Sequence, residues 1–213
     1  LAAPTGAGPI PAPRGSTTNA GGCAGDAHLE QILEAIQLSP SSRGLQPYKI
    51  FVIEADEWKK RIQPVADGQP QIVECSHLLV FCVEVSTSKE KLESYIRHLA
   101  VERNLAMEKL DGLKSVLFRD QLPMNEEQYY HWASKQAYIA LAYGQLMANT
   151  LGIDAAALEG FSPKELDELL NLKNQGLRSA VLLAIGYRDE NADYMLKLKK
   201  VRKPKSELFK SIS

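Results

Sequence analysis

The chain has 213 residues, enough for one sizeable hydrophobic core or two small ones. Its 25 Lys and Arg nearly balance its 26 Asp and Glu, so a net charge of -1 gives no global field toward nucleic acid or an anionic membrane, and no partner of either kind is expected. The 3 cysteines, Cys23, Cys75 and Cys82, form no C-x-x-C pair, which argues against a disulfide scaffold or a zinc site. A reducing, cytoplasmic setting is therefore expected. No apolar run approaches the roughly 20 residues that span a bilayer. The start, Leu1-Ala2-Ala3-Pro4, lacks a basic region and is broken by proline, so no secretory leader is expected.

Residues 1–25 are rich in Ala, Gly, Pro, Ser and Thr and read as an irregular arm, too poor in large aliphatics to offset the entropy of ordering. Arg14 and Ser16 are its anion-binding candidates. Asp26 is placed to cap a helix in which Leu29, Ile32, Leu33 and Ile36 form a buried stripe. Ser39-Pro40 ends that helix, because proline lacks the N–H and clashes with the preceding turn. A loop rich in Ser, Pro and Gly follows, and then Tyr48–Ile53 reads as a strand. Residues 56–62 predict a short helix stopped by Pro64. Asp67-Gly68-Gln69-Pro70-Gln71 reads as a turn carrying two amides. The apolar run 78–83 predicts a strand covered on both faces.

Helical periodicity returns over 88–118, with breaks marked by Gly112 and Pro123. Residues 125–151 predict a long helix with apolar residues on several sides, the pattern of a helix central to a fold or an oligomer. Residues 153–158 suggest a strand, Ser162-Pro163 starts a helix, and 179–185 form another buried strand. The charged tail, 191–213, is unsuited to a core. The element order suggests one layered domain over 26–213.

Several chemistries lack their signatures. There is no G-x-G-x-x-G after a strand and no phosphate-binding G-x-x-x-x-G-K-[ST]. No G-x-S-x-G elbow offers a serine nucleophile. The 4 histidines have no metal-ligand spacing, so no metal is expected. Pro40, Ser41 and Ser42 could present a small-residue wall to a flat ligand, or merely connect helix to strand. Gln69 and Gln71 could read the edge of a heterocycle, since each amide both donates and accepts. Glu159-Gly160 is either a turn or a close backbone approach to a ligand. Lys200 and Arg202 fall on one side of an extended chain, where they could clamp a phosphomonoester or simply be solvated.

Taken together, Ser39-Pro40-Ser41-Ser42 with Gln46-Pro47-Tyr48, Gln69-Pro70-Gln71 before residues 74–81, Lys135-Gln136 ahead of Ala157-Leu158-Glu159-Gly160-Phe161, and Gly186-Tyr187-Arg188 with Lys200-Val201-Arg202-Lys203-Pro204 resemble the nitroreductase family. The resemblance spans about residues 27–204. It implies an α+β fold with a mixed central sheet flanked by helices. It also implies an obligate homodimer whose C-terminal arm crosses to the partner, with two FMN sites at the interface.

Carried over on this resemblance, Pro40, Ser41 and Ser42 lie against the flavin, and Gln69 and Gln71 touch its pyrimidine edge. The backbone of Glu159 and Gly160 meets N5 and O4, and Lys200 and Arg202 hold the phosphate. The family's opening Arg-x-Ser-x-basic motif is matched only by Arg14 and Ser16, without the basic third member or the aromatic that follows. Some relatives carry lysine at the position of Gln71, and a neutral amide stabilises an anionic reduced flavin less than a cation would. Arg43, Phe118, Leu122 and Tyr129 are the candidates for an acceptor pocket with a mobile lid.

The implied activity is a ping-pong oxidoreductase. NADH or NADPH reduces the flavin and leaves, and a small aromatic electron acceptor (a nitroaromatic, a quinone or a free flavin) then takes its place. No side chain is expected to act as nucleophile. Rival readings are the same fold with other flavin chemistry, such as reductive dehalogenation or flavin conversion, and a non-enzymatic α/β interaction domain.

Overall fold

A computed structural model describes residues 25–189, 193 and 198–212. Helix α1 (Asp26–Gln37) begins after Gly25, and the side chain of Asp26 caps nothing. Asp26 is instead the first helical residue, where its carboxylate complements the positive end of the helix dipole. Ile32 and Ile36 are its buried positions. The other end is closed by buried Ser39, whose hydroxyl donates to the Ile36 carbonyl at 2.7 Å, satisfying one of the acceptors a helix end leaves open.

Four strands form the sheet: β1 (Tyr48–Ile53), β2 (His77–Glu84), β3 (Asp154–Leu158) and β4 (Leu177–Gly186), in the order β1-β2-β4-β3. Every pairing among the described residues is antiparallel. The class is α+β, as expected, but the expected mixed pairing is not found within these residues. The chain reverses direction at each step from one paired strand to its neighbour, so no parallel crossover arises.

Strand β2 is buried from His77 to Val83. Because side chains alternate along a strand, Leu79, Phe81 and Val83 face one core with Ile32, Ala137 and Ala140. Leu78, Val80 and Cys82 face a second core with Ile62, Ile72, Leu166 and Leu172. That two-sided cover explains the unbroken apolar run. Burial raises the thiol pKa of Cys75 to about 11 and of Cys82 to about 12, so both behave as small apolar side chains at neutral pH.

The short helices α2 (Asp56–Ile62) and α3 (Gln71–Glu74) and the later α7 (Pro163–Leu169) serve the second core. Helices α4 (Lys89–Glu102) and α5 (Asp111–Gln121), with Leu110 of the turn between them, make a separate satellite core through Leu92, Ile96 and Leu117. The tail contains one helical turn, α8 (Lys205–Leu208), with Leu208, Phe209 and Ile212 exposed.

Helix α6 (Glu126–Thr150) runs 25 residues and opens on a capping box. The Gln128 N–H donates to Asn125 Oδ1 at 2.9 Å, and the Asn125 N–H donates to Gln128 Oε1 at 3.0 Å. Its buried face consists mainly of Ala133, Ala137, Ala140, Gly144 and Ala148. Small residues let α1 and the sheet approach closely. A Cβ on Gly144 would lie 2.9 Å from Ile36 Cγ1. Gly144→Leu should therefore destabilise the fold by about 1–3 kcal/mol through overpacking, read as a lower denaturant midpoint.

Candidate active site

The loop after α1 is held from four directions. The Ser42 N–H donates to Gln136 Oε1 of α6 at 2.7 Å. Tyr95 of α4 donates its hydroxyl proton to the Arg43 carbonyl at 2.5 Å. The Arg43 guanidinium pairs with Asp120 of α5 at 2.8 Å. The Gln46 amide donates to the Gln37 carbonyl at 2.8 Å. Ser41 adds an internal tie, its hydroxyl accepting from the Gln46 N–H at 3.2 Å.

These bonds hold a backbone with three left-handed residues, Arg43 (φ 57), Gly44 (φ 73) and Gln46 (φ 44). Gly44 is required twice over, since a Cβ there would also stand 2.8 Å from the Tyr95 hydroxyl oxygen. Pro40 is exposed, and Ser41 and Ser42 are half-buried. The result is a rigid ledge of little side-chain bulk.

A second group assembles at the end of β3. Gln69 donates its amide to the Gly160 carbonyl at 2.6 Å and to the Ala66 carbonyl at 3.0 Å. A Cβ at Gly160 would come within 3.0 Å of Asp67 Oδ2 and 3.2 Å of Gln69 Nε2. Glu159 accepts a short hydrogen bond from the Tyr138 hydroxyl of α6. Burial first, and that carboxylate second, raise the Tyr138 pKa and keep the phenol protonated. Gln71 Oε1 is buried with no hydrogen-bond partner among the described residues, an acceptor available to a ligand N–H.

The structure thus joins Gln69 to Gly160 but keeps them apart from the Pro40–Ser42 ledge. Gln136 and Tyr138, which mark the two groups, are two positions apart and so about 200° apart around the helix axis. The two groups lie on opposite flanks of α6.

Lys200 and Arg202 are exposed on the tail. Desolvation, then Arg202 and Arg188, lower the Lys200 pKa. Arg14 and Ser16 lie outside the described residues. Of the acceptor-pocket candidates, Arg43 is engaged with Asp120, Phe118 is half-buried beneath the Lys114 ammonium at 5.4 Å, and Leu122 is exposed. Tyr129 is only 2% exposed and packs 5.2 Å from Trp132, which places it in the core and not on a lid. It lines a separate cavity of about 300 Å³ with Pro47, Thr87, Tyr95 and His98.

Tyr138 and Tyr95 are neighbours of the site for which the sequence reading names no role, and Gln136, quoted there only as part of a motif, proves to tether the loop. The available signal was Gln136 itself, a polar residue in register with the alanines of a buried face.

The Nitroreductase family model matches residues 25–187, and this chain belongs to that family, a class of oxidoreductases. It is 30% identical over 181 residues to the "Major NAD(P)H-flavin oxidoreductase" of Aliivibrio fischeri, covering 82% of this chain and 83% of that protein. It is 28% identical over 187 residues to the "Oxygen-insensitive NAD(P)H nitroreductase" of Enterobacter cloacae, covering 84% and 86%. Among solved structures, the fold matches a protein of Exiguobacterium sibiricum, described as a nitroreductase in complex with FMN. That match has a TM-score of 0.74 and 20% identity, covering 94% of this chain and 92% of that one.

Gln136→Leu should leave the Ser42 N–H without its acceptor. The expected cost is about 1–3 kcal/mol, with faster hydrogen exchange at the Ser42 amide than in the wild-type protein.

Proposed function

We propose that the protein is a homodimeric FMN-dependent oxidoreductase that uses NADH or NADPH to reduce a nitroaromatic, quinone or flavin acceptor by a ping-pong sequence. The observation that carries this reading is the split site. The ledge of Pro40, Ser41 and Ser42 and the group of Gln69, Glu159 and Gly160 lie on opposite flanks of α6, tied to it at Gln136 and Tyr138. Between them on the exposed face lies an apolar stripe of Tyr138, Ile139, Tyr143 and Leu146, each 37–47% exposed. A second copy packed on this stripe would bring the ledge of one subunit toward the amide group of the other. The exposed tail, with Leu208, Phe209 and Ile212, suits an arm that reaches across such a dimer.

The residues present fit FMN. Gln71 Oε1 is an unpartnered buried acceptor, which suits the N3–H of a flavin pyrimidine. Gly160, where a side chain would collide with Gln69, keeps backbone open to a close approach. The ledge offers a bulk-free surface for a ring, and Lys200 and Arg202 would hold the phosphate. When bound, FMN would supply the two-electron chemistry that links the nicotinamide to the acceptor.

This chain's own part is positioning. The four-way tether of the ledge fixes where a ring can stack. The Gln69–Gly160 hydrogen bond sets the strand end against which its edge would lie. The Arg43–Asp120 pair ties the ledge to α5, beside Phe118 and Leu122. No helix among the described residues is long and apolar enough to cross a membrane.

Purified protein should be a yellow dimer that oxidises NADH or NADPH only when an acceptor is supplied. Replacing both Lys200 and Arg202 by alanine should weaken FMN binding by about a hundredfold, the effect of losing two charge-assisted contacts. Colourless protein that takes up no FMN and oxidises neither nicotinamide would overturn the reading. Gln71→Lys should raise the midpoint potential of the bound flavin, because a cation favours the anionic reduced form, and potentiometric titration of both proteins measures this.

A further inference from the structure

A buried charge cluster sits where the tail leaves the sheet. Strand β4 ends at Gly186, paired in register with Asp154, the first residue of β3. Two residues on, the Arg188 N–H donates to Asp154 Oδ2 at 3.2 Å. The Arg188 guanidinium lies 3.7 Å from Asp154 Oδ1 and 3.0 Å from Asp193 Oδ2. The side chains are 7% (Arg188), 10% (Asp154) and 1% (Asp193) exposed. The Asp193 N–H also donates to the Asp189 carbonyl at 3.0 Å.

Burying three charges is costly, and well-packed apolar residues of similar volume often stabilise a fold as much or more. A cluster of this kind makes physical sense where it fixes a geometry. Lys200 follows Arg188 by twelve residues and Asp193 by seven. A free chain of twelve residues can reach about 40 Å, so chain connectivity alone leaves the position of Lys200 almost open. Pinning Asp193 to Arg188 removes five residues of that slack. It also starts the remainder from a fixed point beside Asp154, the first residue of β3, whose other end leads into Glu159 and Gly160. Arg188 is close enough to Lys200 to contribute to its lowered pKa.

We propose that Asp154, Arg188 and Asp193 form an anchor that delivers Lys200 and Arg202 to the cofactor's phosphate, making Arg188 and Asp193 positioning residues for phosphate recognition. This rests on the FMN reading above. The ion pair acts at the root of the tail, at the end of β3 opposite Glu159 and Gly160. It therefore affects the phosphate end of the ligand and spares the ring end.

Riboflavin, which lacks the phosphate, separates the two ends. Dissociation constants for FMN and riboflavin are measured by flavin fluorescence on the full chain after bound flavin is dialysed away. In wild-type protein FMN should bind much more tightly than riboflavin. Asp193→Asn, which keeps shape and removes the charge, should weaken FMN about tenfold or more and leave riboflavin within about twofold. Combined with Lys200→Ala and Arg202→Ala it should add little further loss, because all three changes disable one device. Arg188→Met tests the same contact from the other side. The FMN-to-riboflavin ratio guards against misfolding, since loss of folded protein reduces binding of both ligands.

Equal weakening of FMN and riboflavin, or an unchanged FMN constant in Asp193→Asn, overturns the anchor while the FMN reading stands. A wild-type protein that binds neither flavin overturns the FMN reading and the anchor together.

Discussion

The close packing of α6 against α1 and the sheet is the constraint on which the rest of the molecule depends. Alanine and glycine on the buried face bring the helix so near that a methyl group at Gly144 would press on Ile36. Through that contact one long helix becomes a fixed reference for both halves of the site. Gln136, on one flank, holds the Ser42 N–H. Tyr138, on the other, holds Glu159. The spacing of two residues along a helix then sets the halves on opposite sides. On the proposed reading the two halves would meet only by association, with the apolar stripe between them as the contact surface.

The polar contacts of the site share a logic. Most of them engage a backbone group of the site. Tyr95, Asp120, Gln136 and Gln37 all bind the ledge from behind, so Pro40, Ser41 and Ser42 carry no bulk outward. Gln69 spends its amide on the Gly160 carbonyl and Ala66, while Gln71 keeps a buried oxygen without a partner. An unsatisfied buried acceptor is a cost to the free protein, and a ligand that donates to it recovers that cost. Preorganised donors and acceptors of this kind suit chemistry done by a bound cofactor, where the protein orients and tunes. The buried Arg188 cluster extends the same economy to the tail, spending stability on direction.

Much of this architecture was legible in the residues. The stripe of Ile32 and Ile36, the unbroken run of β2, and Ser162-Pro163 each specify a local structure through forces acting within a few residues. The four weak motifs could be read together because their order along the chain is itself information. Other expectations failed for a common reason. Asp26 lies inside its helix because Gly25 already provides the extended residue that starts it. Tyr129, an acceptor-pocket candidate by sequence, is buried in the core that α6 makes with β2. Pairing direction in the sheet depends on how distant strands meet, which no local pattern encodes.

By itself, then, the sequence determined the helices and strands, the buried faces and the family to which the chain belongs, because periodicity, capping and motif order are properties of neighbouring residues. The tertiary structure alone decided that Gln136 tethers the ledge, that Tyr138 meets Glu159, that Gln71 holds an unpartnered oxygen, and that Arg188 bridges Asp154 and Asp193. These contacts join residues distant in the chain or depend on how distant elements bury them. Only the closing of the α6 contact and of the β3–β4 pair brings such residues within hydrogen-bonding distance.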